Sequence, residues 1–404
     1  MQDDVNKAPD VPHRRVGALP LSQLLRPFTG TGGFYARSWA AYLDPQADEL
    51  PVTRPTLALA AQAFSDEIVL FGFHLLRSAP DAARLERIHR EVIMALEFYG
   101  EKGWLHEPEG FFAAPPTLTD VSIRGVSSMG RVYERIFFDS EYQPDAGEPG
   151  RDRWLSYTAN ERAYGLMLRH REPRPWLVCV HGAQMGRAAL DLRLFRAWHL
   201  HQHLGLNVVL PVLPMHGPRA RFLPGGAAFP SEDVVDNLHG VAHAVWDIRR
   251  LLSWIRLQEP ESPIGLNGIS LGGYLTSLTA SVEEALTCAI VNIPLVDLIE
   301  LVARHAGVSH YDDLRQMLTS AKPLSRMISP LALTPRVPMQ GRFICAGIAD
   351  RLVHPREEAA RLWDHWGKPE ICWFPGSHTG FFRSRRVQQF IDSALVKSGL
   401  VARG

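Results

Sequence analysis

The sequence predicts an α/β protein: a mostly parallel, doubly wound sheet with an antiparallel N-terminal edge, preceded by a helical region. Three observations lead there. Apolar runs recur through the second half of the chain, among them "PWLVCVHG", "LNVVLPVLP", "PIGLNG", "TCAIVNIP", "RFICAG" and "EICWF". They are continuous rather than alternating, as strands covered on both faces are. Helical patterns separate them, and strand–helix alternation implies a parallel sheet.

In chain order, residues 1–50 are Pro-rich and irregular, and an arm lying on the surface is expected there. A helical region over 51–113 follows. Residues 57–76 are apolar on nearly every face, interrupted by Asp66 and Glu67. Residues 81–99 carry Leu85, Ile88, Val92, Leu96 and Tyr99 at helical spacing with charges elsewhere. A helix apolar on so many faces must bury against something, and the 81–99 helix is expected to cover one side of it. The main body is expected over 114–404. It opens with "VSIRGV", "RVYERIFF" and "ERAYGLMLRH", spaced as a meander and so forming an antiparallel edge. Residues 294–339 interrupt the alternation with two short helical patterns and a Pro-rich end, the mark of a lid-like insertion.

Composition excludes several classes of function. Lys+Arg and Asp+Glu balance at 43 each, so no electrostatic footprint for nucleic acid is present. No uncharged apolar run approaches the roughly 20 residues of a membrane span. The N-terminal residues lack the apolar stretch of a secretory leader. The four cysteines lie singly inside strand-like runs, which fits reduced thiols and a cytoplasmic protein.

Chemistry concentrates at strand ends. Gly268-Ile269-Ser270-Leu271-Gly272 fits the G-x-S-x-G pattern, with a strand before it and a helix after it. Such a turn holds a hydroxyl out from the sheet, but a serine needs an adjacent base to become a nucleophile. Downstream, Asp350 in "FICAGIADRLVHP" and His378 in "ICWFPGSHTGFF" each follow a strand. Ligands in doubly wound sheets bind beyond these carboxyl ends.

The stretches "HGAQMG", "GISLGG", "GIADRLVHP" and "GSHTGF", in this order on successive strands, resemble the α/β-hydrolase superfamily over residues 120–397. The "SPL…P…G…D…VHP" run is similar to its dienelactone-hydrolase and acetyl-esterase side. The resemblance implies Ser270 as nucleophile, His378 as its base, and Asp350 as the acid that orients the imidazole. It implies an oxyanion hole formed by the Leu271 N–H and, from the loop after "WLVCVHG", the Ala183 N–H, with Gln184 as the alternative. His181 is expected to brace that loop. Asp297, also after a strand, is the rival acid, and His354 a rival base better suited to the start of the next helix. His216 and Arg219 in "PMHGPRARF" border the substrate pocket or form a structural turn. The pairs His199/His203 and His239/His243 lack the acidic partner of metal-binding H-E-x-x-H and are expected to be solvated or core-edge.

The function so implied is a serine hydrolase acting on a small-molecule carboxylic ester through an acyl-enzyme, without metal or organic cofactor. A thioesterase, amidase, peptidase or acyltransferase would use the same residues. A binding protein on an inactive hydrolase scaffold would not need the whole set.

Overall fold

The computed structural model describes residues 24–43, 50–76, 81–128, 130–224, 227–305 and 312–402. At its centre is one nine-stranded sheet: β1 (Ser122–Ser128), β2 (Arg131–Asp139), β3 (Arg162–Leu168), β4 (Trp176–Val180), β5 (Asn207–Pro211), β6 (Ile264–Ile269), β7 (Cys288–Asn292), β8 (Arg342–Gly347) and β9 (Glu370–Phe374), in spatial order β1-β2-β3-β5-β4-β6-β7-β8-β9. The first three strands and the β3–β5 pair are antiparallel, and the rest are parallel. The expected meander edge and all six apolar strands are present. β4, β5, β6 and β7 are buried at every residue, which is why they read as unbroken apolar runs.

Alternate residues of each strand feed two apolar layers. Val178, Val180, Leu266 and Val291 pack with helices Val234–Gln258 and Leu271–Val282 on one face. Leu177, Cys179, Ile290 and Cys345 face helices Ala197–Gln202 and Arg385–Lys397 on the other. The cysteines Cys179, Cys288, Cys345 and Cys372 are unpaired and buried in these layers.

Three helices precede the sheet: α1 (Arg26–Leu43), α2 (Leu57–Leu76) and α3 (Ala82–Glu101). The first corrects the expected irregular arm over its own residues; the remainder of that arm, 1–23 and 44–49, lies outside the described residues. Pro27 stands at the start of α1, where a proline costs no backbone bond. Beyond its glycines, the stretch Tyr35–Trp39–Tyr42 brings aromatic rings together at helical spacing. Its partner is α2, with Phe28 and Phe64 rings 5.1 Å apart.

This pairing also corrects the expectation that α3 covers α2. The helix α3 buries Ile88, Val92, Ala95 and Tyr99 against the sheet body instead. Ile88 and Val92 each contribute roughly 1.5–3 kcal/mol on burial. Asp81 caps its N-terminus by accepting from the Arg84 N–H at 2.8 Å. Arg87–Asp233 and Arg153–Glu91 ion pairs and the Tyr99 hydroxyl on Glu148 fix its register. The helix α2 buries one stripe only, Leu59, Ala63, Asp66, Glu67 and Leu70, and leaves Leu57 and Ile68 exposed. Among the described residues no helix is long and apolar enough to cross a membrane.

The 294–339 segment lies between β7 and β8 as expected and carries helices Leu298–His305, Asp312–Ser320 and Lys322–Met327. Residues 306–311 within it lie outside the described residues. The Tyr274 hydroxyl donates to the Ile328 carbonyl and ties the segment to the helix after β6.

Candidate active site

The turn after β6 explains its own sequence. Ser270 has φ 57° and ψ −118°, a conformation few side-chain-bearing residues adopt. The chain can bend so sharply only where glycines let backbone meet backbone. A Cβ on Gly272 would collide with the Val180 carbonyl on β4, and one on Gly268 with the Gly272 carbonyl. Ser270 is thus held at the carboxyl end of the sheet, ahead of the helix that begins at Leu271.

Three strand ends converge there. His378 Nε2 lies 3.1 Å from Ser270 Oγ. His378 Nδ1 lies 2.7 Å from Asp350 Oδ2. A carboxylate can only accept, so Nδ1 carries the proton and Nε2 is left to receive one from the serine. Asp350 Oδ1 accepts from the N–H groups of Leu352 and Val353 at 2.9 and 2.7 Å. Burial pushes the Asp350 carboxyl up from its ordinary value, with His378 pulling against it. For the His378 ring, burial disfavours the charged form, but Asp350 by charge and hydrogen bond, with Asp66 by charge, outweighs it and holds the imidazole above its usual range.

The loop after β4 runs beside Ser270. A Cβ on Gly182 would stand 3.4 Å from the Ser270 Cβ, and Ala183 and Gln184 follow directly. Gln184 takes a left-handed conformation, φ 63°. Leu271 occupies the first position of its helix, where an N–H has no intrahelical acceptor. His181 braces this loop: its Nδ1 bonds the Gly182 carbonyl at 2.8 Å and its Nε2 accepts from the Leu213 N–H at 3.1 Å. Burial pushes its pKa down to about 3, so it is neutral.

The rival acid is occupied elsewhere. Asp297 Oδ1 accepts from the Glu300 N–H at 3.0 Å, starting the Leu298–His305 helix, and from the Ser325 hydroxyl. Of the two readings of His216 and Arg219, the structural one has the contacts. His216 is buried, bonds the Pro214 carbonyl and packs against His181. Arg219, 1% exposed, bonds the carbonyls of Val212 and Asn160 at 2.9 Å each and Asp247 at 2.7 Å. The two histidine pairs expected to be solvated or core-edge divide. His199 meets Asp392 at 3.0 Å near the surface, whereas His239 and His243 are buried among Trp154, Pro149 and Ser140. Among the described residues no cluster of three His, Cys, Asp or Glu could hold a metal ion.

A cavity of about 840 Å³ lies between α1 and the 294–339 segment, lined among others by Arg26, Asp297, Leu318, Ser325 and Leu331. No residue of the Ser270–His378–Asp350 line contributes to its wall.

What local sequence does not disclose is the role of α2. Its Asp66 and Gln62 contact the His378 loop, and Glu67 pairs with Arg351 at 3.0 Å. The signal for them is the acid pair inside an otherwise apolar helix.

A strained serine elbow on a mixed, mainly parallel sheet with helices on both faces is the α/β-hydrolase fold, and the chain adopts that fold. It belongs to the same family as two uncharacterized proteins of Mycobacterium tuberculosis, from strains CDC 1551 and H37Rv, each 63% identical over 381 residues, 94% of this chain and 92% of theirs. No family model matches the chain. Among solved structures, the acetyl xylan esterase from Paenibacillus sp. R4 is similar in fold, with a TM-score of 0.51 at 17% identity, covering 72% of this chain and 92% of that one.

Proposed function

We propose that the protein is a serine hydrolase that cleaves a carboxylic ester through an acyl-enzyme. The observation that carries this reading is the hydrogen-bonded line from Ser270 Oγ through His378 to Asp350, 3.1 and 2.7 Å long, on a strained elbow.

In the first half-reaction Ser270 Oγ attacks the ester carbonyl as its proton passes to His378 Nε2. The imidazolium then gives that proton to the departing alkoxide, leaving the acyl group on Ser270. Water repeats the sequence, with His378 as its base, and releases the acid. Base assistance of this kind contributes roughly 10²- to 10⁴-fold. Asp350 keeps the ring in the reactive tautomer and offsets the imidazolium charge. The carbonyl oxygen, negative in each tetrahedral intermediate, is received by the N–H groups of Leu271 and Ala183, each worth on the order of 10²- to 10³-fold. The body over 114–404 carries the chemistry, and the buried, unpaired cysteines fit a reducing, cytoplasmic setting.

Labelling with a fluorophosphonate probe tests the reading without presuming a substrate. Wild-type protein is expected to label and Ser270→Ala to stay unlabelled, with p-nitrophenyl acetate as the first ester to assay. A wild-type protein that neither labels nor hydrolyses short esters would sink the proposal.

A further inference from the structure

Asp66 is fully buried in α2, outside the sheet body. Its Oδ1 accepts from the Ser377 hydroxyl at 3.0 Å, the Thr379 N–H at 2.9 Å and the Thr379 hydroxyl at 2.8 Å. Its Oδ2 accepts from the His378 N–H at 3.0 Å and the Arg351 N–H at 3.0 Å. A buried carboxylate is tolerated only when its lone pairs are filled. Here they are filled from two loops alone, the one that carries His378 and the one that carries Asp350. One turn earlier, Gln62 Oε1 accepts from the Ser377 N–H at 3.2 Å, so close that a Cβ on Gly380 would overlap it. Glu67 binds the Arg351 guanidinium at 3.0 Å, and Arg351 also lies over the Phe34 ring of α1.

Resting on the hydrolase reading above, we propose that Asp66 is a positioning residue: from the N-terminal helical layer it clamps the His378 loop to the Asp350 loop and so sets the line that ends at Ser270. The helical layer is then part of the catalytic apparatus without touching substrate. The five hydrogen bonds fix the backbone of His378 and of the residue after Asp350 to one rigid group. The charge matters as well. The groups that touch the ring are Asp350 from the acid loop and the neutral Ser270; Asp66 from α2 binds the His378 backbone N–H and reaches the ring by charge. Glu67 and Arg351, next outward, neutralise each other. Asp66 therefore adds to Asp350 in holding the proton on His378.

The test is Asp66→Asn in the full chain, which keeps the shape and removes the charge and half of the acceptor capacity. With p-nitrophenyl acetate, kcat is expected to fall roughly ten- to hundredfold, as sub-ångström misplacement of reacting groups allows, while KM stays within about threefold. The acid limb of kcat/KM is expected to move to lower pH, because the ring loses a neighbouring negative charge; a merely structural helix contact would not move it. Glu67→Gln, which breaks the outer ion pair and leaves the five hydrogen bonds of Asp66 in place, should leave kcat unchanged. Should Asp66→Asn not fold, the double variant Ser377→Ala/Thr379→Val decides, since it removes two donors and keeps the charge. A kcat lowered severalfold with the limb in place supports the clamp, and an unchanged kcat overturns it. The low-field proton resonance of His378 Nδ1–H reads the Asp350 bond without substrate. If wild-type protein is inactive on esters, the hydrolase reading fails alone, and a resonance displaced by Asp66→Asn still supports the clamp. A folded Asp66→Asn with wild-type kcat, limb and resonance overturns it.

Discussion

Asp350 Oδ2 lies 2.7 Å from His378 Nδ1, while the other oxygen of the same carboxylate is held by the Leu352 and Val353 N–H groups. The acid therefore cannot swing away from the ring without breaking backbone bonds of its own loop. Asp350→Asn turns an obligate acceptor into a group that can offer the ring a donor, favouring the wrong imidazole tautomer. Its kcat is expected to fall on the order of 10⁴-fold. Asp297 has no such position: it starts a helix and receives Ser325. Asp297→Ala should cost about 1 kcal/mol of stability and leave kcat near the wild-type value. Steady-state kinetics on the two variants checks the assignment, and the reverse ranking would move the acid to the end of β7.

The pH profile follows from the raised proton affinity of His378. In the proposed mechanism only the neutral ring accepts the Ser270 proton. The acid limb of kcat/KM reports the free enzyme and should therefore fall above the ordinary histidine value of roughly 6.5. Stability runs the other way. A ring whose folded pKa exceeds its unfolded one contributes stability that is full below the unfolded value and is lost as pH rises through the folded value. Across that window activity should climb while this contribution to Tm declines. Thermal melts of wild type and His378→Asn at several pH values, set beside the kinetic profile, check it: the variant's Tm should lack the decline.

At the elbow, Gly272→Ala would drive a methyl into the Val180 carbonyl, and Gly268→Ala one into the Gly272 carbonyl. Both obstacles are backbone and cannot rotate aside. Each substitution is expected to cost roughly 3 kcal/mol or more. Gly273→Ala meets the Asn292 carbonyl at 3.0 Å, a milder approach, and should cost less. Urea unfolding of the three variants gives the ranking.

The sheet and the strained turn at Ser270 were legible for a shared reason. A strand buried on both faces has to be largely apolar, and an elbow this tight needs glycine where backbone meets backbone, so burial and strain are written locally at β4 to β7 and at Gly268 and Gly272. The α2 anchorage is not local. Asp66 and Glu67 are visible as charges breaking an apolar helix, which argues against a membrane span; which loops receive them depends on how α2 meets residues 284 to 313 positions later in the chain. The same holds for α1, whose helix gains from packing on α2 what its glycines take away. Arg219 is the converse case. Its residue type, beside a strand end, suits a substrate loop, and only the approach of Asp247 from the Val234–Gln258 helix makes it part of the core.

That placement yields the last prediction. Arg219 joins Asp247 to the carbonyls of Val212 and Asn160, and both charged side chains are almost fully buried. Removing one partner leaves the other as an uncompensated buried charge. Arg219→Met should therefore cost roughly 3–5 kcal/mol, whereas Arg219→Met/Asp247→Leu should recover much of the loss, because no lone carboxylate remains. The preference among p-nitrophenyl esters of graded acyl length should be the same in the double variant as in wild type. Denaturant unfolding measures the first pair of expectations and the ester series the second. A folded Arg219→Met of wild-type stability with a shifted chain-length preference would instead place the guanidinium at the substrate.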